Sequence, residues 1–189
     1  ARDSDDVTLA FTVSPDASPG ISSGIIVNII SENSFPRSQV IDFVIGEPQI
    51  VFFENFESGI ENWTLNGSWG LTEDASGGDY ALTDSPNGDY QPGQQTTAEF
   101  SLSINEIFLA NPKITYNAKW DIHSNRDFVR IQAFTENEGW VSLQGDYTVS
   151  GSGQSTQPDG EHGYDGLQED WVYETIHLDQ LNNLEITSF

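Results

Sequence analysis

The chain contains no cysteine, which removes a disulfide framework, a thiolate nucleophile and any cysteine-ligated zinc site at once. Methionine is missing too, including at position 1. The opening residues Ala1-Arg2-Asp3-Ser4-Asp5-Asp6 have no signal-peptide character, so the chain reads as an excised or proteolysed piece of a longer protein. Cations are scarce: six Lys and Arg stand against 30 Asp and Glu, for a net charge of −24. Phosphate backbones need a basic stripe for counterion release, which excludes nucleic acid as a partner, and the same repulsion excludes an anionic membrane surface. No run of about 18 apolar residues occurs, so no membrane-spanning helix is expected. The histidines His123, His162 and His177 fall in no zinc spacing, and neither a G-x-S-x-G elbow nor a Walker-type loop is present.

Against these absences stand 36% hydrophobic and 12% aromatic residues in a chain of 189, enough for a packed core and against wholesale disorder. The apolar residues alternate with period two. Val7, Leu9, Phe11 and Val13 predict a first strand, Ile25 to Ile30 a second and Val40 to Ile45 a third, with Asn33 to Arg37 as a turn. Gly46-Glu47-Pro48 is a natural joint, because proline ends a strand and glycine permits the bend.

Beyond the joint the composition turns richer in tryptophan, glycine and acid. Ala98, Phe100, Leu102 and Ile104 predict one strand. Ile114, Tyr116, Ala118, Trp120 and Ile122, alternating with Lys113, Thr115, Asn117, Lys119 and Asp121, predict another. Phe128 to Thr135 and Trp140 to Leu143 form a hairpin around Glu136-Asn137-Glu138-Gly139. Trp171 to Leu178 is the last predicted strand, with Val172, Glu174, Ile176 and Leu178 opposite to Trp171, Tyr173, Thr175 and His177. Ser150 to Asp170 is expected as a long surface loop, and Leu178 to Leu184 as at most one helical turn. The fold class that follows is all-β: an antiparallel jelly-roll β-sandwich preceded by part of a second sandwich.

With so many acids, calcium is the natural cofactor, since a hard cation takes six to eight oxygens from carboxylates and bent backbone. Phe53-Glu54-Asn55-Phe56-Glu57 and Gly78-Asp79-Tyr80-Ala81-Leu82-Thr83-Asp84 combine acids with glycines and short apolar spacers, which makes Glu54, Glu57, Asp79 and Asp84 the candidate metal ligands. The acids of 159–170 are a weaker second set. Glu136 and Glu138 are a carboxylate pair of the kind glycoside hydrolysis uses, although a hairpin tip is ordinarily just solvated. Among the five tryptophans, Trp120 belongs to a core face, whereas Trp140, beside the hairpin tip, is the candidate for ligand stacking.

The string Phe52-Phe53-Glu54-Asn55-Phe56-Glu57-Ser58-Gly59, then Asn62-Trp63-Thr64, Gly67-Ser68-Trp69-Gly70-Leu71 and Gly78-Asp79-Tyr80-Ala81-Leu82-Thr83-Asp84-Ser85-Pro86, resembles the MAM-like jelly-roll domain of immune inhibitor A-type metallopeptidases. That domain is also appended to other secreted Bacteroidetes peptidases, zinc carboxypeptidases and subtilisin-like enzymes among them. Asn111 to Tyr116 and Trp171 to Leu178 fit the same pattern, so the resemblance covers about residues 50 to 189. It implies a secreted or cell-surface peptidase as the parent chain, and carries no catalytic residue over. Members usually continue with another strand and an acidic pair, so a C-terminal strand, and with it one calcium ligand, is expected to be missing here. Residues 7 to 46 are similar to the end of an immunoglobulin-like module.

The resulting expectation is a partial immunoglobulin-like β module over 1–46 and a MAM-like jelly roll over 47–189. Together they form a non-catalytic, calcium-binding accessory region of a secreted bacterial peptidase, docking on the parent catalytic domain or on protein substrate. The alternative is a carbohydrate-binding module that uses Trp140 on a polysaccharide ligand, and a small glycosidase built on Glu136 and Glu138 is a third reading.

Overall fold

The computed structural model describes residues 8, 10–17, 21–30, 36–46, 50–102, 112–181 and 186–188. The chain divides into two compact units, Ala1–Val51 and Phe52–Phe189. Its regular structure is almost entirely antiparallel strand, which makes the protein all-β.

In the first unit β1 (Ser22–Ile29) and β2 (Arg37–Val44) pair from Ser22↔Val44 to Ile29↔Arg37 without a register break. The predicted first strand is not formed where it is described: Thr8 and Ala10 to Val13 have no ladder partner among the described residues. Val7 and Leu9 lie outside the described residues. Phe11 instead meets the ring of Phe43, with centroids 5.2 Å apart and the planes tilted by 37°, so its contact is ring packing and not sheet pairing.

The second unit holds β3 (Trp63–Asn66), β4 (Gly70–Thr72), β5 (Ala81–Thr83), β6 (Thr97–Phe100), β7 (Lys113–Asp121), β8 (Gln132–Thr135), β9 (Gly139–Ser142), β10 (Val149–Ser150), β11 (His162–Gly163), β12 (Leu167–His177) and β13 (Ile186–Ser188). A single 3-10 turn, Leu178–Gln180, is the only helical element among the described residues. β3 pairs with β6, β4 with β5, β10 with β11, β7 with β12, and β8 lies between β13 and β9. Of the predicted 98–104 strand, β6 keeps Ala98 to Phe100; Ile104 lies outside the described residues.

The core is built by side chains of one parity. Ala133 of β8, Leu143, Ile176 of β12, Leu178 and Leu181 are buried together, with Ile114, Tyr116, Ile131 and Val141 packed against them. Each leucine or isoleucine fully withdrawn from water there is worth about 1.5–3 kcal/mol. β7 and β12 run in register from His177↔Lys113 to Val172↔Ala118, with a bulge between Gln168 and Val172.

The long loop expected over 150–170 is a correction. β11 and the first residues of β12 fall inside it, and the remainder closes on itself. Gly151 N–H donates to the Glu161 carbonyl at 2.7 Å, and Gly153 N–H to the Gln157 carbonyl at 2.9 Å. Gln157 is buried, yet its amide is satisfied: Nε2 donates to the Asp127 carbonyl and Oε1 accepts from Ser152 Oγ, both at 2.9 Å. A polar residue anchoring a loop from beneath gives no apolar period, which is why the segment reads as open in sequence.

Candidate functional site

The two segments expected to flank a metal do come together, through Glu57. Its Oε1 accepts the backbone N–H groups of Asp79 at 2.8 Å and Tyr80 at 3.1 Å. Gly78 precedes those donors with φ of +75°, and a Cβ on it would stand 2.3 Å from the same oxygen, so both the turn and the close approach need glycine here. Glu54 is turned inward on its own segment. Its Oε1 accepts from Asn55 N–H at 3.0 Å and Phe56 N–H at 2.8 Å, and its Oε2 faces the indole N–H of Trp63 at 3.5 Å. Asp84 Oδ1 accepts from Ser85 Oγ at 2.7 Å, and its carbonyl accepts from Ser68 Oγ at 2.6 Å.

These bonds decide how far the four residues suit calcium. An N–H donor takes the lone pair that a cation would use and points its positive end at the same place. Glu54 therefore has both oxygens engaged, whereas Glu57 Oε2 and the Asp79 carboxylate carry no hydrogen bond among the described residues. Among the described residues no three His, Asp or Glu side chains converge on one point. The set offers a few of the six to eight oxygens calcium takes, not a cage.

A second carboxylate, which sequence reasoning left as one letter of a strand pattern, accepts the most hydrogen bonds of any carboxylate among the described residues. Glu174, on the core face of β12, is wholly buried. Its Oε1 accepts the N–H groups of Asp146 at 2.7 Å and Thr175 at 2.8 Å. Its Oε2 accepts from Tyr147 N–H at 3.2 Å and Tyr164 Oη at 2.7 Å. Three of these partners are amides, which can only donate, so the group they enclose is an acceptor on both oxygens. Tyr164 has spent its single proton on Glu174, and the Tyr116 hydroxyl, in contact with it, therefore donates to the Tyr164 oxygen. Burial pushes both phenols well above the usual tyrosine range, and the negative charge on Glu174 adds to the rise. The ring of Tyr164 also stacks against Trp120, with centroids 4.5 Å apart.

The two sites share a construction. Glu57 grips Gly78-Asp79-Tyr80, and Glu174 grips Gly145-Asp146-Tyr147. In each, the amides of the Asp and Tyr donate to the carboxylate, and the glycine lies under it: a Cβ on Gly145 would sit 2.8 Å from Glu174 Cδ. Successive backbone N–H groups of a turn form a concavity suited to an anion, and here a glutamate fills it. The repeated Gly-Asp-Tyr tripeptide is the sequence signal that finds these loops. It occurs a third time as Gly88-Asp89-Tyr90, where Tyr90 Oη donates to Asp127 Oδ2 at 2.8 Å and accepts His123 N–H at 3.2 Å.

The remaining candidates stand apart. Glu136 and Glu138 occupy the exposed turn between β8 and β9, where Glu138 N–H donates to Thr135 Oγ1 at 3.2 Å. Trp140 of β9 is 46% exposed on the face opposite to buried Ala133, edge-on to Phe134 at 5.4 Å. Glu161 and Asp165 are drawn into loop closure: Glu161 pairs with Arg130 at 3.4 Å, and Asp165 accepts Asn125 N–H at 3.0 Å. Comparison of the chain with protein-family models, with curated proteins and with solved structures finds no significant match.

Proposed function

We propose that the second unit is a non-catalytic accessory module of a secreted bacterial peptidase, folded as a jelly-roll β-sandwich, and that the first unit closes an immunoglobulin-like module ahead of it. The module docks on the parent catalytic domain or holds the enzyme near its protein substrate at the cell surface. The observation that carries this reading is the use made of the carboxylates. Glu54 and Glu174 have both oxygens engaged by donors of their own chain, mostly backbone amides, and Glu57 has one oxygen so engaged. A general acid or nucleophile has to turn an oxygen toward substrate instead. Incubation with fluorescent casein and with a glycoside panel tests the proposal. Binding or stabilisation without turnover is expected, and hydrolysis abolished by Glu136→Gln or Glu138→Gln would establish the glycosidase reading in its place.

Two further readings each have an observation in their favour. Calcium at the Glu57 corner is favoured by the juxtaposition of the two acidic segments and by the uncommitted Glu57 Oε2 and Asp79 carboxylate. Carbohydrate binding is favoured by Trp140, whose ring stands out from the β8–β9 face.

A further inference from the structure

We infer that the outer face of the β7–β12 sheet is a binding face for a neutral polysaccharide chain, with Tyr173 as its stacking platform. The inference rests on the reading of the second unit as a binding module and names the ligand class. Cross-strand partners share a side of a sheet, so the register assembles this face in pairs: Lys113 with His177, Thr115 with Thr175, and Asn117 with Tyr173. Lys119 and Trp171 complete it, the ammonium lying 5.1 Å from the indole centroid and paired with the Asp74 carboxylate. Tyr173 is 61% exposed, although the opposite parity of the same strand carries the buried Glu174 and Ile176.

The chemistry of the face is that of a hydroxyl-rich ligand. A tyrosine ring standing free offers apolar area to the C–H face of a sugar, at low entropy cost and with a polar tip in water. Around it are amide, hydroxyl, imidazole and ammonium groups able to donate to or accept from sugar hydroxyls. From Lys113 to Lys119 the face runs about 20 Å along the strand, room for several sugar rings.

Charge narrows the class further. Both lysines of the chain are on this face, but Lys119 is paired with Asp74, and Asp146 and Asp179 line the hollow beside Thr175 and His177, so donors and acceptors are mixed here. A hydroxyl-rich chain can use both, whereas the net charge of −24 repels polyanions at range, so the complement is a neutral chain and not a polyuronate.

Native affinity electrophoresis of the 189-residue chain, in gels containing soluble β-glucan, xylan, mannan or alginate, tests this. The expected result is retardation by at least one neutral polymer, weakened at least tenfold by Tyr173→Ala, retained by Tyr173→Phe and unchanged by Trp140→Ala. Circular dichroism checks that the Tyr173→Ala protein is folded. Retardation by none of them, by alginate alone, or in a manner sensitive to Trp140→Ala and not to Tyr173→Ala overturns the assignment. Release of reducing ends from a retained polymer would instead overturn the non-catalytic reading, so the two failures are distinguishable.

Discussion

Replacing Glu174 by glutamine changes one oxygen for an amide nitrogen and leaves the side chain's shape intact, so its effect reports the bonds and the charge alone. The remaining carbonyl can serve Asp146 N–H and Thr175 N–H, and Asp146 also keeps the Thr175 carbonyl at 3.2 Å. The new NH2 group then faces Tyr147 N–H, a donor against a donor at a buried position. Tyr164 can rotate its hydroxyl to accept from the NH2, but it must then donate to Tyr116, whose own proton loses its acceptor. One buried amide left unsatisfied costs about 1–3 kcal/mol, and bonds weakened from charged to neutral cost roughly another 1 kcal/mol. A loss of about 3 kcal/mol is therefore expected, or roughly 10 °C in Tm for a unit of this size. Urea unfolding followed by tryptophan fluorescence should show the midpoint lowered by about 1 M or more at unchanged slope. The opposing term is relief of a buried charge that has no cation beside it. A Glu174→Gln midpoint equal to or above that of the unsubstituted protein would refute the reasoning, because desolvation would then outweigh what the four donors return.

Gly145→Ala should destabilise by about 1–3 kcal/mol, since the new methyl group collides with a carboxylate that is packed on every side; differential scanning fluorimetry reads it. At the exposed Glu57 corner, Glu57→Ala should cost about 0.5–1.5 kcal/mol by leaving two amides to water, and Glu57→Gln less, because its carbonyl still accepts them. Calcium in place of chelator separates the readings of that corner: a rise in Tm that disappears in Glu57→Gln establishes the ion, and an equal Tm in both buffers leaves the amide latch as the sole role of Glu57. Raised pH acts on the tyrosine pair with a definite sign. Tyr116 and Tyr164 keep their protons in the folded state above the ordinary tyrosine pKa near 10, so their contribution is complete below about pH 10. It is lost as the pH climbs above that value, by about 1.4 kcal/mol per pH unit for each tyrosine. Urea midpoints across this range should fall accordingly, and Tyr164→Phe should flatten the fall.

The strands with one wet face were legible in sequence because burial and exposure alternate there as the side chains do. β7 is the clearest case: Lys113 and Asn117 are exposed, while Ile114, Tyr116 and Trp120 turn toward the inside. β8 and β9 follow the same logic, with Ala133 and Thr135 buried. What composition and period could not show was the use of polar groups inside. Glu174 sits on the inward parity of β12 between Val172 and Ile176, a position where an acid contradicts the apolar rule, and that contradiction was the available sign of a buried network. Gln157 gave no such sign, since a glutamine in a glycine- and serine-rich stretch looks like any loop residue. At the metal candidates, sequence singled out two segments that Glu57 joins but could not tell a carboxylate facing a cation from one facing amides, because both need acids near glycine turns.

That ambiguity bears on how a chain of net charge −24 holds together. A carboxylate inside a fold needs positive potential, and six cations cannot supply it to 30 acids. The backbone can, because every turn that points two consecutive N–H groups the same way presents a local positive pole without spending a charged side chain. Glu57 on 79–80 and Glu174 on 146–147 use that source, and in each case the glycine lets the carboxylate come within hydrogen-bond reach of the turn. Acidity of this kind is compatible with a stable core at moderate salt, since these bonds lie at contact distance, where screening acts least. The charges left outward then set the long-range field, which repels polyanions and attracts cations.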